Sequence, residues 1–402
     1  MSRNGSGIYS IPPGSAAVDD TIIDPVAFNT LISDLETDAN TARPIVAGGT
    51  GATTAAAART NLGATAVGAS VFTAADAAAA RANLGIPPDD NGNRIINGDF
   101  GIWQRATSGT GDGYVAADRW RNGAVGGTVT QARSPFNPGD GVGVSSITPT
   151  FALSQDVTGQ SLASHYAVTQ QRIEGVRTYA GQTVTVLGFV RRVAGSGNAV
   201  IEMEQQFGTG GSPSVGITGL SPTTITLTGT WQPFAAVITL PSIFGKVLGS
   251  NNDDFVGLSL WISAGSNFSA RTNSLGIRTQ QVLWHGIHIR PGIWTAADAA
   301  LYVPRDPGTE TALCQRYLFK TQLGVILRGY SPSAGAQTFQ TIVFPVTMRG
   351  GVIATNNWVS GANNLSQTVS ASSTNAQLTL TSIIGSDFAV QYAAGNSFDS
   401  EL

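Results

Sequence analysis

The chain has 402 residues, of which only 12% are charged, and its formal net charge is −3. This balance excludes a strongly basic nucleic-acid-binding surface and gives no attraction to an anionic membrane. A single cysteine, Cys314, excludes an intrachain disulfide framework. No apolar run reaches the roughly 18 residues of a transmembrane helix. We therefore predict no nucleic-acid partner and no membrane insertion.

Residues 1–24 are rich in Gly, Ser and Pro and contain few apolar side chains. Such a segment cannot bury enough apolar surface to fold alone. It predicts an extended arm that a partner orders, and a disordered tail is the alternative. The first residues, MSRNGSGIYS, also lack the long apolar segment of a secretory signal, so we expect synthesis in a cytoplasm.

Residues 25–42 predict an amphipathic helix. Asp24 is suited to its N-cap and Pro25 to its first turn. Apolar residues recur at three- and four-residue steps and form one stripe: Phe28, Leu31, Ile32 and Leu35. A short helix with one narrow stripe is marginal alone, so the stripe must meet another surface. A symmetric bundle of identical helices is one solution.

An internal repeat follows this helix. The segments 54–63 and 76–85 share an Ala-rich pattern at an offset of 85 − 63 = 22 residues. The repeated residues are Arg59, Asn61 and Leu62 in the first copy, and Arg81, Asn83 and Leu84 in the second. Two helical turns of Ala bury almost nothing within one chain. The repeats must therefore stack on neighbours or on other copies of the chain.

Beyond residue 92 the pattern changes to β. Segments rich in β-branched and aromatic residues predict strands at 182–193, 199–207, 223–228, 234–240, 255–263 and 282–290. Further strands are predicted at 325–327, 340–346, 376–381 and 388–392. The fold class is therefore mainly β. A jelly-roll β-sandwich is expected over 93–306, and a smaller C-terminal β-sandwich domain over 307–402.

Catalytic and metal-binding patterns are weak in this sequence. Glu202 and Glu204 share one face of a predicted strand, at a spacing that would permit glycan hydrolysis but also suits a solvated face. His285 and His288 are three apart in one strand, which predicts opposite faces and no shared metal. The turn 251–254 could hold a cation or be solvated. We predict no catalytic residue, no metal and no cofactor.

Aromatic residues are the more informative signal, because sugar rings stack on flat aromatic side chains. Most of the seven tryptophans fall in or beside predicted strands, where core packing is expected. Trp358 differs, because it lies in an amide-rich segment that suggests a loop, Asn356–Asn364. It is the residue selected from the sequence for glycan contact.

Three segments resemble those of phage tail fibre proteins. Residues 48–63 resemble the Ala-rich repeats of fibre shafts, and residues 1–10 resemble the start of such chains. Residues 93–105, with 117–120, resemble the entry to their carbohydrate-binding-module-like jelly roll. The resemblance covers most of residues 1–320. It implies a homotrimer with a virion-attachment arm at 1–24, a trimerisation and shaft region at 25–92, and a distal tip at 307–402.

The sequence therefore predicts a structural virion protein that is not an enzyme. As a tail fibre subunit, it would attach to other tail or baseplate proteins by its arm and contact a host cell-surface glycan with its β-domains. A capsid fibre or decoration protein, and a tailspike that degrades glycans, are the alternatives. A secreted carbohydrate-binding protein is a third, which the missing signal segment disfavours.

Overall fold

The computed structural model divides the chain into two compact units, residues 1–88 and 89–402. It describes residues 22, 24–40, 45, 49–75, 79–80, 83–84, 92–137, 149–321, 325–330, 333, 336–350, 352–355, 358–362, 364–382, 387–392 and 397–401. Most of the predicted arm lies outside these residues. No helix within them is both long and apolar enough to cross a membrane.

The first unit contains three described helices: α1 (Pro25–Asn40), α2 (Ala55–Asn61) and α3 (Ala66–Phe72). Side-chain caps explain where they begin. Asp24 Oδ1 accepts a hydrogen bond from the backbone N–H of Val26 (2.9 Å), and Thr54 and Thr65 cap α2 and α3. The helix predicted at 25–42 is thus present over Pro25–Asn40, and residues 41–42 lie outside the described residues. Helix α3 was not predicted.

Eleven strands form the larger part of the second unit. They are β1 (Ser108–Thr110), β2 (Arg121–Val125), β3 (Thr128–Pro135), β4 (Phe151–Thr158), β5 (Tyr166–Glu174), β6 (Thr183–Gly195), β7 (Asn198–Gln206), β8 (Ile217–Thr226), β9 (Gln232–Thr239), β10 (Phe255–Ala264) and β11 (Gln280–Pro291). One antiparallel sheet has the order β1-β3-β4-β11-β6-β9, and the other has the order β2-β5-β10-β7-β8. Strands β6 to β11 match predicted segments, whereas β1 to β5 were missed.

The two sheets enclose one apolar core. Alternate residues of β10 and β6 point into it, including Leu258, Leu260, Val184 and Val186. Trp284 of β11 and Trp120 also lie in this core and are fully buried. The alternation leaves the other face of each sheet directed away from the core. The observed β-sandwich confirms the predicted mainly β fold class.

Residues 307–402 continue the same compact unit. Helix α4 (Pro307–Gln315) begins at the predicted domain boundary, with Asp306 as its N-cap. The strands that follow are β12 (Leu318–Lys320), β13 (Val325–Tyr330), β14 (Gln337–Val343), β15 (Ile353–Thr355), β16 (Trp358–Ala362), β17 (Asn364–Ala371), β18 (Asn375–Ser382), β19 (Asp387–Tyr392) and β20 (Ser397–Asp399). They pair in three described sheets: β12-β20-β15, β13-β19-β16 and β14-β18-β17.

Strand β11 corrects the prediction for His285 and His288. The register shifts between these two residues, and Gly286 has a positive φ of 63°. Trp284 and Ile287 both point into the core, so the extra residue turns both histidines to the outer face of the sheet. The prediction of opposite faces was therefore wrong, because it assumed an unbroken two-residue period.

Both histidines are buried, which favours their neutral form and predicts a loss of stability in acid. Burial lowers the pKa of His285 and of His288 to about 4. The unfolded chain therefore binds more protons between pH 6.5 and 4, and each histidine destabilises the folded state by up to about 3 kcal/mol as the pH falls. Asp118 has the opposite effect on stability as the pH falls, because burial raises its pKa to about 6.

Burial also raises the pKa of Asp99 and of Glu202, which affects stability in the same direction as Asp118. We expect the two histidines to outweigh these carboxyl groups, so the midpoint temperature of thermal unfolding should decrease as the pH is lowered from 7 to 4.5. The measurement is calorimetry across this range. The variant His288→Gln should show a weaker pH dependence than the parent chain. A midpoint that is constant or rises on acidification would contradict the buried neutral state of the histidines.

Candidate functional site

The outer face of the five-stranded sheet carries a groove of about 500 Å³. Because side chains alternate along a strand, Phe255, Ser259 and Trp261 of β10 point to this face. The strand register places Gln170 of β5 opposite Ser259, and Ser259 opposite Glu202 of β7. The groove floor is thus built from rows that cross three adjacent strands.

One end of the groove is an aromatic cluster. Tyr166 and Phe268 lie against Trp261, with ring centroids 5.8 Å and 5.5 Å from it. The rings of Tyr166 and Phe268 meet edge to face at 5.0 Å. Trp261 is nearly buried beneath them, whereas Tyr166 and Phe268 are partly exposed. The solvent-facing part of the cluster is therefore formed by these two rings.

Glu202 lies beneath the floor, and its side chain is fully buried. Its Oε1 accepts hydrogen bonds from Trp261 Nε1 (3.2 Å) and Arg271 Nε (2.7 Å), and its Oε2 accepts one from the backbone N–H of Gly219 (2.6 Å). Burial raises the pKa of Glu202, and the hydrogen bonds and positive charge of Arg271 act against this shift. Both carboxylate oxygens are thus occupied by protein donors.

Glu204 is held in the same way, one step along the strand. Its Oε1 accepts a hydrogen bond from Gln170 Nε2 (2.7 Å). Its Oε2 accepts from Gln206 Nε2 and from Arg271 Nη2, each at 3.1 Å. Gln170 Nε2 also donates to Ser259 Oγ (3.3 Å). Together these bonds fix the polar floor in a connected network.

A glycine keeps the middle of the floor low. Gly257 of β10 lies between Arg172 and Glu204 in the register. A Cβ atom at this position would lie 2.7 Å from Glu204 Cγ and 2.8 Å from Glu204 Oε1. Any side chain here would therefore displace the carboxylate. Glycine is required at position 257 by the close approach of Glu204, not by its backbone angles.

The other end of the groove combines an aromatic ring and charged groups. The guanidinium of Arg172 lies over the ring of Phe255 at 4.7 Å, and Arg172 Nε donates to Gln170 Oε1 (3.2 Å). Asp253 accepts a hydrogen bond from the backbone N–H of Thr209 (2.7 Å). At this end too, Gln170 Oε1 and Asp253 Oδ1 already accept hydrogen bonds from the chain.

The loop 251–254, a candidate cation site from the sequence, forms hydrogen bonds within the chain. Asp253 Oδ1 accepts a hydrogen bond from the backbone N–H of Thr209, and Asp254 Oδ2 accepts one from the backbone N–H of Val176 (2.7 Å). The described residues contain no group of three or more His, Cys, Asp or Glu side chains that could share a metal ion.

The sequence anticipated only part of this groove. Glu202 and Glu204 do face the same side of one strand, but Arg271 joins them into an ion-paired network rather than an open acid pair. Tyr166, Phe268 and Arg271 were not predicted. The signal for Tyr166 was the alternation along β5, which was hidden because the inward residues Thr169 and Gln171 are polar. Phe268 and Arg271 lie outside strands, and no local pattern marks them.

The other predicted residues lie away from the groove. Trp358 begins strand β16 and is not in a loop, and its side chain lies outside the described structure. In the first unit, Phe28, Ile32 and Leu35 are 50%, 47% and 42% exposed, and Leu31 is half-buried. The stripe is therefore uncovered in the single chain.

The repeat residues bind their own segment. Asn61 Nδ2 donates to the carbonyl oxygens of Thr50 and Gly51, each at 3.0 Å. Asn83 Nδ2 donates likewise to Ser70 O at 2.8 Å. Leu62 and Leu84 are exposed. The repeated asparagine thus ties each copy to the chain before it.

The arginine of the first copy contacts helix α3. The guanidinium of Arg59 lies 5.3 Å from the ring centroid of Phe72, the last residue of α3. Its counterpart in the second copy, Arg81, lies outside the described residues.

Comparison with known proteins gives no family assignment. No family model and no curated protein matches the chain. Solved structures that match include the enzymatically active domain of tailspike protein 4 of bacteriophage CBA120, with 11% identity, a TM-score of 0.29 and coverage of 51% of this chain. This chain spans only 22% of that tailspike chain.

Carbohydrate-binding modules also match. The xylan-binding CBM22-1 domain from Paenibacillus barcinonensis has 14% identity and a TM-score of 0.25, covering 48% of this chain and 95% of the module. A family 11 module from Clostridium thermocellum, in complex with a mixed-linked tetrasaccharide, has 9% identity and a TM-score of 0.27, covering 45% and 94%. At these values the ligands of those modules do not transfer to this chain.

Proposed function

We propose that this chain is a glycan-binding structural protein of a virion, and specifically a phage tail fibre subunit. The observation that carries the glycan-binding part is the groove on the five-stranded sheet. There the rings of Tyr166 and Phe268 adjoin a floor of fixed polar side chains, including Gln170 and Arg271. Aromatic faces beside fixed polar groups are the combination that holds a sugar, because its C–H faces stack and its hydroxyls form hydrogen bonds.

The groove is also pre-organised. The carboxylates of Glu202 and Glu204 already hold Arg271, and Glu204 holds Gln170. Side chains fixed in this way lose little conformational freedom when a ligand arrives, so less of the interaction energy is spent on ordering them. Along β10 the groove runs from Phe255 to Trp261, which is roughly 20 Å at the usual rise per residue. This length favours an oligosaccharide over a single sugar.

Truncating the exposed rings of the groove should weaken glycan binding. A glycan array first identifies a ligand, and calorimetric titration then compares the parent chain with Tyr166→Ala and Phe268→Ala. We expect each variant to bind roughly tenfold more weakly or worse, because each loses the apolar area that stacks on the sugar. Phe244→Ala is the matched control, since Phe244 is 95% exposed and does not line the groove. Unchanged affinity in both groove variants would remove the groove as the binding site.

Binding, rather than hydrolysis, is the better reading of the carboxylates. A general acid or nucleophile must reach the glycosidic bond, whereas Glu202 is fully buried and both its oxygens accept protein hydrogen bonds. Glu204 is only 5% exposed and shares Arg271 with it. We therefore propose that the groove holds glycans without cleaving them. Release of reducing ends from a bound glycan, abolished by Glu202→Gln, would instead support a depolymerase.

The fibre part of the proposal depends on self-association. In α1 the residues Phe28, Ile32 and Leu35 follow a 4–3 spacing and expose an apolar stripe in the single chain. Stripes of this spacing pack against copies of themselves. A homotrimer would present three grooves to one host surface, so contacts that are weak individually would act together. The N-terminal arm, residues 1–24, would join this assembly to tail or baseplate proteins.

A charge in the stripe should dissociate the assembly. We expect the purified parent chain to sediment as a trimer at micromolar concentration and Ile32→Asp to sediment as a smaller species, because three carboxylates would meet in an apolar seam. The control is Glu36→Gln, an exposed position on the same helix. A parent chain that stays monomeric at this concentration would contradict the fibre assignment while leaving glycan binding open.

A further inference from the structure

A second cavity lies on the opposite side of the β-sandwich, against the outer face of the six-stranded sheet. Its volume is about 220 Å³, less than half that of the groove. Strands β3, β4, β6 and β11 contribute to it, together with the turn between β8 and β9. The described lining residues that matter here are Phe136, Trp231, Arg191, Gln281, Ala152 and Leu283.

Apolar groups form part of the lining. The rings of Phe136 and Trp231 are nearly parallel, with centroids 5.0 Å apart and an interplanar angle of 19°. Ala152 and Leu283 are 1% and 8% exposed. Trp231 packs on the buried cluster around Phe189, which fixes its position. The cavity therefore offers a rigid aromatic pair beside an apolar surface, which suits one ring-shaped group.

Two polar side chains of this cavity, Arg191 and Trp231, keep donors that have no partner among the described residues. Arg191 Nε donates to the carbonyl oxygen of Gly229 (3.0 Å), and among the described residues Arg191 makes no other hydrogen bond and no ion pair. Trp231 Nε1 likewise has no hydrogen-bond partner in the described part of the chain. Gln281 Nε2 donates to Ser154 Oγ (2.9 Å). None of the described lining residues carries a carboxylate.

The balance of charges in this cavity differs from that in the groove, where the carboxylates of Glu202 and Glu204 neutralise Arg271. A guanidinium presents its donors as a planar fork that matches a carboxylate, and such pairs are stronger than hydrogen bonds between neutral groups. In the smaller cavity none of the described residues offers a carboxylate to the fork of Arg191. An anionic group of a ligand would supply this acceptor.

We infer that this cavity is a second binding site, which takes one acidic sugar unit with its ring against Trp231 and its carboxylate on Arg191. The site lies on the other sheet from the groove, so it does not depend on the groove being a glycan site. If both are used, one domain grips a glycan surface at two places, and the second contact becomes effectively intramolecular.

Calorimetric titration and saturation-transfer NMR with a matched pair of sugars test this site. The probes are methyl glucuronide and methyl glucoside, which share a ring and differ in the carboxylate. We expect the glucuronide to bind and the glucoside to bind roughly tenfold more weakly or worse, since a charge-assisted hydrogen bond is lost. Arg191→Gln and Trp231→Ala should each weaken glucuronide binding to a similar degree.

Three further variants serve as controls. Arg177→Gln alters an exposed arginine that does not line the cavity, and Trp231→Phe keeps an aromatic ring in case Trp231→Ala unfolds. Phe244→Ala, at an exposed ring that lines neither the groove nor this cavity, should leave glucuronide binding unchanged. Equal binding of the two sugars, loss of binding in the groove variant Tyr166→Ala alone, or no binding of the glucuronide would each overturn the inference. None of these outcomes decides whether the groove binds a longer glycan.

Discussion

Replacing Arg271 with methionine is expected to destabilise the β-sandwich by about 3–5 kcal/mol, which is the usual effect of removing one partner from a buried charge network. Arg271 is the shared cation of Glu202 and Glu204, and Glu202 is fully buried. Without it, two carboxylates would face each other below the groove floor. Denaturant unfolding of the parent and variant chains measures this loss.

The pH dependence of this variant supplies an internal control. Burial already raises the pKa of Glu202, and removing Arg271 removes the group that opposes the shift. The folded variant would then bind a proton more readily than the unfolded chain, so its stability deficit should shrink as the pH falls towards 5. The double variant Arg271→Met/Glu202→Gln should recover part of the loss at neutral pH. A single variant as stable as the parent would show that the network contributes nothing to the fold.

Replacing Glu401 with glutamine is expected to cause a loss of similar size in a different place. Arg119 is 1% exposed, pairs with Glu401, and lies over the ring of Tyr317 at 3.4 Å. Glu401 also pairs with Arg105 at 3.2 Å. The substitution would leave the buried guanidinium of Arg119 without its anion, at a cost of about 3–5 kcal/mol. The midpoint of denaturant unfolding reports this effect.

Asp399→Asn is the matched control for Glu401→Gln. Asp399 pairs with Arg105 at 2.7 Å but is more exposed than Glu401, with side-chain exposures of 30% and 6%. Its loss should therefore be smaller, about 1 kcal/mol or less. If both variants unfold at the same denaturant concentration as the parent chain, the ion pair of Arg119 with Glu401 does not stabilise the fold. If only Glu401→Gln is destabilised, the C-terminal residues are part of the fold of the β-sandwich.

This second network shows why some of the fold could not be predicted from the sequence. Glu401 and Arg119 are 282 residues apart, and no local pattern links them. Strand β20, next to Glu401, is three residues long and pairs with β12 and β15 at the centre of a small sheet. Such a short strand is stabilised by its neighbours, not by its own propensity.

The strands that were predicted have a simple common property. Strand β10 alternates Val256, Leu258, Leu260 and Ile262 inward, so its period is visible in the sequence. Strands β2 to β5 alternate less clearly, because their inward residues include Gln131 and Gln155, which are buried and polar. Hydrophobic period alone does not detect a strand of this kind. The β-sandwich was thus predictable, and five of its eleven strands were not.

The same limit applies to the candidate site. The shared face of Glu202 and Glu204 follows from the two-residue period of one strand. The contact of Arg271 with both carboxylates depends on how β5 and β10 pair. The same pairing brings Phe268 next to Tyr166, although the two are about a hundred residues apart in the chain. The bulge at Gly286 likewise turned His288 to an unexpected face. Each of these features comes from register rather than composition.

A crystal structure of the chain with an oligosaccharide selected on a glycan array tests the central claim most directly. We expect sugar density along the outer face of the five-stranded sheet, with a ring stacked on Tyr166 or Phe268 and hydroxyls within hydrogen-bond distance of Gln170 or Arg271. Density for the bound oligosaccharide at another surface, with the groove holding only solvent, would contradict the assignment.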